Sequence, residues 1–386
     1  MKTTVYFTDP TARAGRSLLN KVADLFDRSG GPEIFREGMT VAVKVHFGEE
    51  GNTGYLNAAF ARALVGKLKD LKARPFLFDT NTLYRVHRHT TRDHLETARR
   101  HGFTEEYVGA PTVIGEEFVE EKAAGGRAGK AAVARAVRET DAVLVLSHAT
   151  GHILFGYAGA IKNVAMGCAS PSGKQVMHSD LKPAVKAEKC AACGTCLEYC
   201  PADAIAMISG GGGGNAAKID PLACVGCGEC IAVCPAHAIP PLWKTEERPL
   251  AEKTALFASA ALTGKKERML CLNFLLRITP DCDCVDWTEP PFVPDLGVLA
   301  SRDIVAVDQA SIDLIRKAPV IPGATAVAKK INPSQRIPPE VASQFLCLPR
   351  LPDVFKTLFG ADVSLLLAAA EKAGLGSREY RMEKVE

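Results

Sequence analysis

The stretch CAACGTCLEYCP, residues 190–201, recurs 34 residues later as CVGCGECIAVCP, residues 224–235. Each copy has the spacing C-x2-C-x2-C-x3-C-P and continues as Ala-x-Ala-Ile. A cubane iron–sulfur cluster needs four thiolates that converge from different directions, and three cysteines at two-residue gaps can wrap around one cluster. The spacing therefore predicts two [4Fe–4S] clusters, held by eight of the thirteen cysteines.

The fourth cysteine of each copy precedes a proline and is expected to ligate the opposite cluster. One predicted ligand set is Cys190, Cys193, Cys196 and Cys234. The other is Cys224, Cys227, Cys230 and Cys200. Structural zinc is the alternative, but zinc sites usually present two thiolates at a time. Four cysteines and a proline that recur in tandem favour iron–sulfur clusters.

The remaining composition is that of an ordinary globular chain, with 47% hydrophobic and 24% charged residues among 386. The net charge of +3 is too small to predict binding to nucleic acid or to an anionic membrane surface. We find no signal-peptide pattern and no run of apolar residues long enough to span a bilayer. These observations predict a cytoplasmic protein without a membrane span, in which cysteines more often bind metals than form disulfides.

The first 180 residues or so alternate between predicted strands and helices, which favours an α/β fold with a mostly parallel sheet. The predicted strands are Thr3–Phe7, Thr40–Val45, Pro75–Phe78 and Ala142–Leu146, and the predicted helices are Ser17–Phe26, Leu56–Leu71, Arg92–Arg100 and Ala131–Arg138. Alternation returns after the cysteine-rich region, with predicted helices Leu250–Leu262, Val307–Lys317 and Val354–Lys372 and predicted strands Leu270–Leu276 and Val298–Leu299.

We therefore expect one α/β domain, residues 1–186 and 244–386, interrupted by a small ferredoxin-like α+β module at residues 187–243. A separate C-terminal domain is the alternative. Within the module, five consecutive glycines at 210–214 predict a flexible hairpin tip.

Polar residues follow three of the predicted strands. They come directly after Val45, Phe78 and Leu146. Ligands of open parallel sheets bind outside the carboxyl ends of the strands, so these ends form one candidate crevice if the strands are neighbours. No G-x-G-x-x-G follows a strand, and a nicotinamide-binding site is therefore not predicted.

Candidate catalytic or ligand residues at this crevice are His46, His148, His152, Lys162, Cys282 and Cys284, with His178 and Cys168 as further candidates. Histidine titrates near neutral pH and is the commonest metal ligand, but each histidine could equally be a buried residue that orients a loop. Lys162 could bind a phosphate or carboxylate. Cys282 and Cys284, two residues apart in a presumed strand, could bind a metal, cycle between dithiol and disulfide, or be structural thiols. Cys271 and Cys347 lie in apolar runs and are predicted to be core residues.

Several strings outside the module, taken in order, resemble the DUF362 family of iron–sulfur proteins. They include KVHFGE (44–49), DTNTLY (79–84), SHATGH (147–152), GYAGAIKN (156–163), TPDCDC (279–284) and DQA (308–310). The resemblance runs from about residue 40 to about residue 315. It implies the fold and the clusters, whereas the family has no generally assigned reaction.

The leading functional hypothesis is an electron-transfer protein that exchanges single electrons with redox protein partners. The rival is an oxidoreductase whose crevice binds a substrate, a flavin-like cofactor or an additional metal, wired by the clusters to an external donor. A scaffold in which clusters only stabilise the fold ranks last.

Overall fold

A computed structural model describes residues 2–84, 86–122, 130–178, 182–209, 215–242, 246–321, 351 and 353–386. The predicted glycine-rich hairpin tip at 210–214 and Cys347 lie outside these residues. Within the described ranges, no helix is both long and apolar enough to cross a membrane.

The strands and helices occur in the following places along the chain. The strands are β1 (Thr3–Thr8), β2 (Thr40–Val45), β3 (Arg74–Thr80), β4 (Thr112–Gly115), β5 (Phe118–Lys122), β6 (Lys130–Ala134), β7 (Ala142–His148), β8 (Thr150–His152), β9 (Gly156–Ala158), β10 (Ile205–Ser209), β11 (Asn215–Ile219), β12 (Met269–Leu275), β13 (Gly297–Ser301) and β14 (Tyr380–Lys384). The helices are α1 (Leu18–Arg28), α2 (Gly31–Ile34), α3 (Ala58–Asp70), α4 (Thr91–Arg100), α5 (Glu105–Val108), α6 (Arg135–Glu139), α7 (Ala160–Gly167), α8 (Pro171–His178), α9 (Thr195–Glu198), α10 (Glu229–Val233), α11 (Glu247–Ala261), α12 (Ile304–Lys317), α13 (Val354–Phe359) and α14 (Ser364–Lys372).

The central sheet has the strand order β14-β1-β13-β12-β7-β2-β3-β4. Only the pairings of β13 with β1 and β12 are antiparallel, so β13 alone runs against the other strands of this sheet. The predicted α/β fold with a mostly parallel sheet is confirmed. β12 pairs with β7 although the cysteine-rich region lies between them in sequence, so segments before and after that region share one sheet.

Both faces of the sheet are buried. Side chains of successive strand residues point to opposite faces, and each face packs against helices. Along β7, Val143 and Val145 join the core formed with α7, α11 and α12, whereas Leu144 and Leu146 join the core formed with α1 and α3. The continuous apolar run of β7 is what a strand buried on both faces requires.

Side-chain caps fix several helix starts. Ser17, Asn57, Thr90 and Asp303 accept backbone N–H groups at the beginnings of α1, α3, α4 and α12. Such residues satisfy donors that have no partner inside the helix.

The small module contains the β10–β11 hairpin, α9 and α10. Its two halves repeat not only in sequence but in backbone conformation. Positive φ angles occur at Ala192, Gly194 and Asp203 and recur at the equivalent Gly226, Gly228 and His237. Six of its cysteines belong to, or pack against, a hydrophobic cluster of its own, which also takes in Leu83 from the loop after β3.

Two sequence predictions of secondary structure were wrong. The predicted helix Ala131–Arg138 divides into β6 and α6, because residues 130–134 pair with β5 in a hairpin. The predicted helix Val354–Lys372 is two helices, since Gly360 takes a left-handed conformation that ends α13. The other strands and helices that were predicted by residue range are confirmed, with ends that differ by a few residues.

Candidate functional site

Four predicted cluster ligands border one cavity in the module. Cys190, Cys193, Cys196 and Cys234 line one small space together with small and apolar residues of both repeats. The contribution of Cys234, from the second repeat, to the cavity of the first repeat is the crossed arrangement expected from the sequence. Their grouping is compatible with a cluster held by four thiolates.

The other predicted ligand set also lies close together. Burial, followed by the neighbouring Cys227, Cys224, Cys196 and Cys200, raises the pKa of the Cys230 thiol to about 12. Burial and neighbouring thiolates both disfavour the ionised form, which is the form that binds metals. Ionisation of these crowded thiols therefore requires a compensating positive charge. No three His, Cys, Asp or Glu side chains among the described residues are placed to hold a single metal ion.

Backbone N–H groups donate hydrogen bonds to several of these sulfurs. Ala204 N–H bonds Cys200 Sγ at 3.3 Å, and the equivalent Ala238 N–H bonds Cys234 Sγ at 3.3 Å. Cys190 Sγ and Cys224 Sγ each accept a further backbone N–H at 3.4 Å. Hydrogen bonds to cluster sulfurs stabilise negative charge and tune reduction potentials.

The two cysteine loops differ in what surrounds them. A Cβ at Gly228, in the second loop, would lie 2.6 Å from Gln175 Cβ of α8, whereas a Cβ at Gly194, in the first loop, would meet nothing within 4 Å. Gln175 also exchanges two 3.0 Å hydrogen bonds with Leu242 at the end of the module. The second loop is therefore docked on the α/β domain and the first loop faces outward.

The predicted crevice exists, because β7, β2 and β3 are adjacent and parallel. A cavity of about 50 Å³ lies at the ends of β2 and β7. It is lined by His46, Ser147, His148, Thr150, Ala158, Gly159, Lys162, Asn163, Cys282, Asp283 and Cys284. Five of the six candidate catalytic residues predicted from sequence thus share one cavity.

His46 is held by a buried arginine. Its Nδ1 accepts the Gly48 N–H at 3.0 Å, and its Nε2 lies 3.0 Å from Arg88 Nη1. Arg88 also donates to Glu49 at 3.0 Å and to the Tyr84 hydroxyl at 2.7 Å. Burial, followed by the charges of Arg88 and a nearby lysine, holds the pKa of His46 well below 6.5. The ring is neutral near pH 7.

The pKa of His148 is shifted in the opposite direction. Its Nδ1 donates to Asp283 at 2.9 Å and its Nε2 donates to the Leu276 carbonyl at 2.8 Å. Burial alone would lower the pKa of His148, but the charge of Asp283 and these hydrogen bonds outweigh burial and raise the pKa above 6.5. His148 and Asp283 therefore form a buried ion pair at the wall of the cavity.

Two lysines reach the same region. Lys44 is fully enclosed, with its Nζ 2.6 Å from Asn163 Oδ1 and 3.2 Å from Asp79 Oδ1. Lys162, on α7, lines the cavity, and burial lowers its pKa to about 8 although Asp283 pulls the other way. No described group lies within hydrogen-bond or ion-pair distance of Lys162 Nζ.

Three candidates lie outside the cavity lining. His152 Nδ1 accepts the N–H groups of Leu154 and Phe155, which closes a turn. His178 Nδ1 donates to the Lys174 carbonyl at 2.8 Å, and burial lowers its pKa to about 4. Cys168 is buried at the end of α7, and burial raises its pKa to about 12. Cys271 is a core residue, as predicted.

The presumed strand around Cys282 and Cys284 is wrong, because both lie in the loop between β12 and β13 and are joined by a disulfide. Tyr84 donates a hydrogen bond to the Cys284 carbonyl at 3.0 Å.

Sequence reasoning missed Arg88, Asp283 and Thr150. The only signal for Asp283 was its position between two cysteines, and Arg88 and Thr150 had none.

The family model described as "Domain of unknown function (DUF362)" matches residues 41–313. This chain belongs to that family. The match confirms the predicted resemblance, and it spans residues before, within and after the cysteine-rich module. No curated protein sequence matches the chain.

Solved structures similar to this DUF362 protein include the lactate racemase apoprotein from Thermoanaerobacterium thermosaccharolyticum. It shares 11% identity and a TM-score of 0.39, over 100% of this chain and 83% of that one. A protein from Thermotoga maritima shares 11% identity and a TM-score of 0.35, over 68% of this chain and 52% of that one. Likenesses at these TM-scores carry no argument about activity.

Proposed function

We propose that this DUF362 protein carries single electrons through two [4Fe–4S] clusters. The observation that carries the proposal is the cavity bordered by Cys190, Cys193, Cys196 and Cys234, since it joins three cysteines of one repeat to the fourth cysteine of the other. Backbone N–H groups directed at the sulfurs add to its support. Each cluster supplies one-electron chemistry, and the chain supplies thiolates, hydrogen bonds and burial.

The different surroundings of the two loops favour a direction for electron flow. Cys193 is exposed and Gly194 has open space beside it, so a redox partner protein has access to the first loop. The second loop rests on α8, next to the α/β domain. In this proposal, electrons enter at the first cluster and leave the second toward that domain, or travel the reverse route.

The test is the metal content of anaerobically purified, reconstituted protein. We expect about eight irons and about eight acid-labile sulfides per chain, and an electron paramagnetic resonance signal after reduction. Cys196→Ser and the equivalent Cys230→Ser are each expected to lose about half of the iron, because each removes one ligand from one cluster.

Cys271→Ala is the matched control, since Cys271 is buried in β12 away from the module. It is expected to keep the full iron content. Zinc without labile sulfide in the wild-type protein, or full iron in both serine variants, would contradict the proposal.

The second candidate function is an oxidoreductase whose crevice reacts with a substrate or a flavin-like cofactor. A structural link between module and crevice favours it: Leu83 packs into the module's apolar cluster, and the next residue, Tyr84, bonds Cys284 at the cavity. The purified protein should then show flavin absorbance, a further metal, or substrate-dependent reoxidation of the reduced clusters. Absence of all three would exclude the oxidoreductase and favour a protein that only transfers electrons.

A further inference from the structure

The crevice contains two polar groups that find no partner in the part of the chain that the structure describes. Lys162 Nζ has none among the described residues, and Thr150 Oγ1 is a buried hydroxyl without a hydrogen bond. Both residues line the same cavity. A buried hydroxyl in a folded protein is nearly always hydrogen-bonded, so the unpaired Thr150 hydroxyl beside the half-buried Lys162 ammonium indicates a bound species that would satisfy both.

Both groups can donate a hydrogen bond, and one of them is cationic. An ammonium has three donors and no acceptor, and a threonine hydroxyl donates one hydrogen. The complementary ligand therefore offers oxygen acceptors and negative charge.

The other charges around the cavity agree with this sign. Asp283 is already neutralised by His148, which it contacts through both carboxylate oxygens. Lys44 is matched by Asp79, and Arg88 by Glu49. The three carboxylates near the cavity are thus each paired with a cation, and the charge of Lys162 is left over.

The start of α7 does not supply the anion site, although Gly159 lines the cavity. Asp308 of α12 accepts the N–H groups of Ala160 and Ile161 at 2.8 and 2.9 Å, so its carboxylate already occupies that helix end. Recognition of a ligand therefore falls to side chains. The cavity volume of about 50 Å³ is far below that of a pocket for a drug-sized molecule, so only a ligand of a few heavy atoms fits.

We propose that Lys162 and Thr150 bind a small oxyanion, a carboxylate or inorganic phosphate, in the crevice between β7 and α7. This proposal rests on the second candidate function, the oxidoreductase. It names small oxyanions as the class of substrate that would bind in the crevice and exchange electrons with the clusters. The burial that lowers the pKa of Lys162 to about 8 leaves the ammonium charged at neutral pH, and a bound anion would offset the cost of that burial.

The test is isothermal titration of the full-length, cluster-loaded protein with acetate, with inorganic phosphate and with neutral acetamide. We expect saturable binding of at least one anion and none of acetamide. The better of the two anions identifies the ligand as carboxylate or phosphate.

Two variants remove one donor each. Lys162→Met keeps the aliphatic stem and loses the charge, and it should weaken binding at least about tenfold, because charge-assisted hydrogen bonds are the strong ones. Thr150→Val keeps the shape and loses the hydroxyl, and it should weaken binding about threefold to tenfold. Lys317→Met, at an exposed position of α12, is the control and should bind like wild type.

Wild-type protein that binds neither anion, acetamide that binds as well as acetate, or a folded Lys162→Met that binds with unchanged affinity would each overturn the proposal. Near-ultraviolet circular dichroism establishes folding, and Thr150→Val provides the decision if Lys162→Met is misfolded. Iron and labile sulfide are measured on the same samples. Full iron without anion binding refutes the anion site alone, and anion binding without iron refutes the electron-transfer proposal alone.

Discussion

The pKa values of single side chains at the crevice depend on partners that are distant in sequence but in contact in space. His46 follows β2 and His148 ends β7 in the same sheet, yet the pKa of His46 lies well below 6.5 and the pKa of His148 is raised above it. Arg88 beside His46 and Asp283 beside His148 make the difference. Histidine near neutral pH responds to one neighbouring charge, so a histidine at a strand end cannot be assigned a role from its position in sequence alone.

The His148–Asp283 pair predicts a pH-dependent stability. The pKa of His148 is raised above 6.5 in the folded protein, so its contribution is complete below the unfolded value and is lost as the pH rises through the folded value. His148→Gln should therefore lower the free energy of unfolding more at about pH 6 than at about pH 9. Urea unfolding of both proteins at each pH measures the difference. An equal or larger loss at the alkaline pH would contradict the ion pair.

The sequence predicted site residues where the chemistry is local. The predicted cluster ligands follow a spacing of two or three residues, and this spacing alone grouped Cys190, Cys193, Cys196 and Cys234, which border one cavity. The crevice depends on contacts across the chain, such as Arg88 with Glu49 and His148 with Asp283. Thr150 is a candidate site residue because its hydroxyl is buried without a hydrogen-bond partner, and no pattern of residue types in the sequence reveals such burial.

At the level of elements, one carboxylate joins two helices. Asp308 of α12 caps α7 through two backbone N–H groups and accepts Asn273 Nδ2 at 2.6 Å. Asp308→Ala removes the cap and leaves buried donors unpaired, so we expect a loss of about 2–4 kcal/mol in the free energy of unfolding. Glu252→Ala, on an exposed position of α11, is the control and should change little. A loss in Asp308→Ala no greater than in the control would show that the cap is not stabilising.

The two cysteine loops offer a matched pair of glycines. Gly194 and Gly228 both have φ of 78°, so alanine adds the same left-handed strain of about 1–2 kcal/mol at each. Only at Gly228 does the new Cβ also meet Gln175 of α8. Gly228→Ala should therefore lower the melting temperature more and should increase hydrogen exchange in α8, whereas Gly194→Ala leaves α8 protected. Equal effects of the two substitutions would mean that the second loop is not docked.

The wrong element predictions have physical causes. Residues 130–134 are alanine-rich and favour a helix locally, but pairing with β5 imposes a strand. In the C-terminal helical pattern, apolar periodicity continues past Gly360, whereas the backbone turns there. Tertiary pairing and one left-handed residue outweighed local preference in these cases.

On the scale of the whole molecule, the module lies in sequence between β7 and β12, which are neighbours in the sheet. It contacts the loop after β3, and this loop leads to the crevice. Leu83, only 3% exposed, belongs to the module's apolar cluster with Cys196 and Ile231. Tyr84, the next residue, bonds the Cys284 carbonyl and accepts from Arg88. The packing of the module and the wall of the cavity are thus connected through two adjacent residues of this loop.

This connection predicts that Leu83→Ala affects both parts of the molecule. Loss of a buried leucine leaves a cavity, and we expect the free energy of unfolding to fall by about 2–4 kcal/mol. Hydrogen exchange should increase in β10 and β11 and also around Tyr84 and Cys284. Leu222→Ala is the matched control, because Leu222 lies in the same module but is 91% exposed, and it should change neither region. If Leu83→Ala loosened the hairpin while the loop around Cys284 kept its protection, the module and the crevice would be mechanically independent, and the route that favours an enzyme wired to the clusters would lose its structural basis.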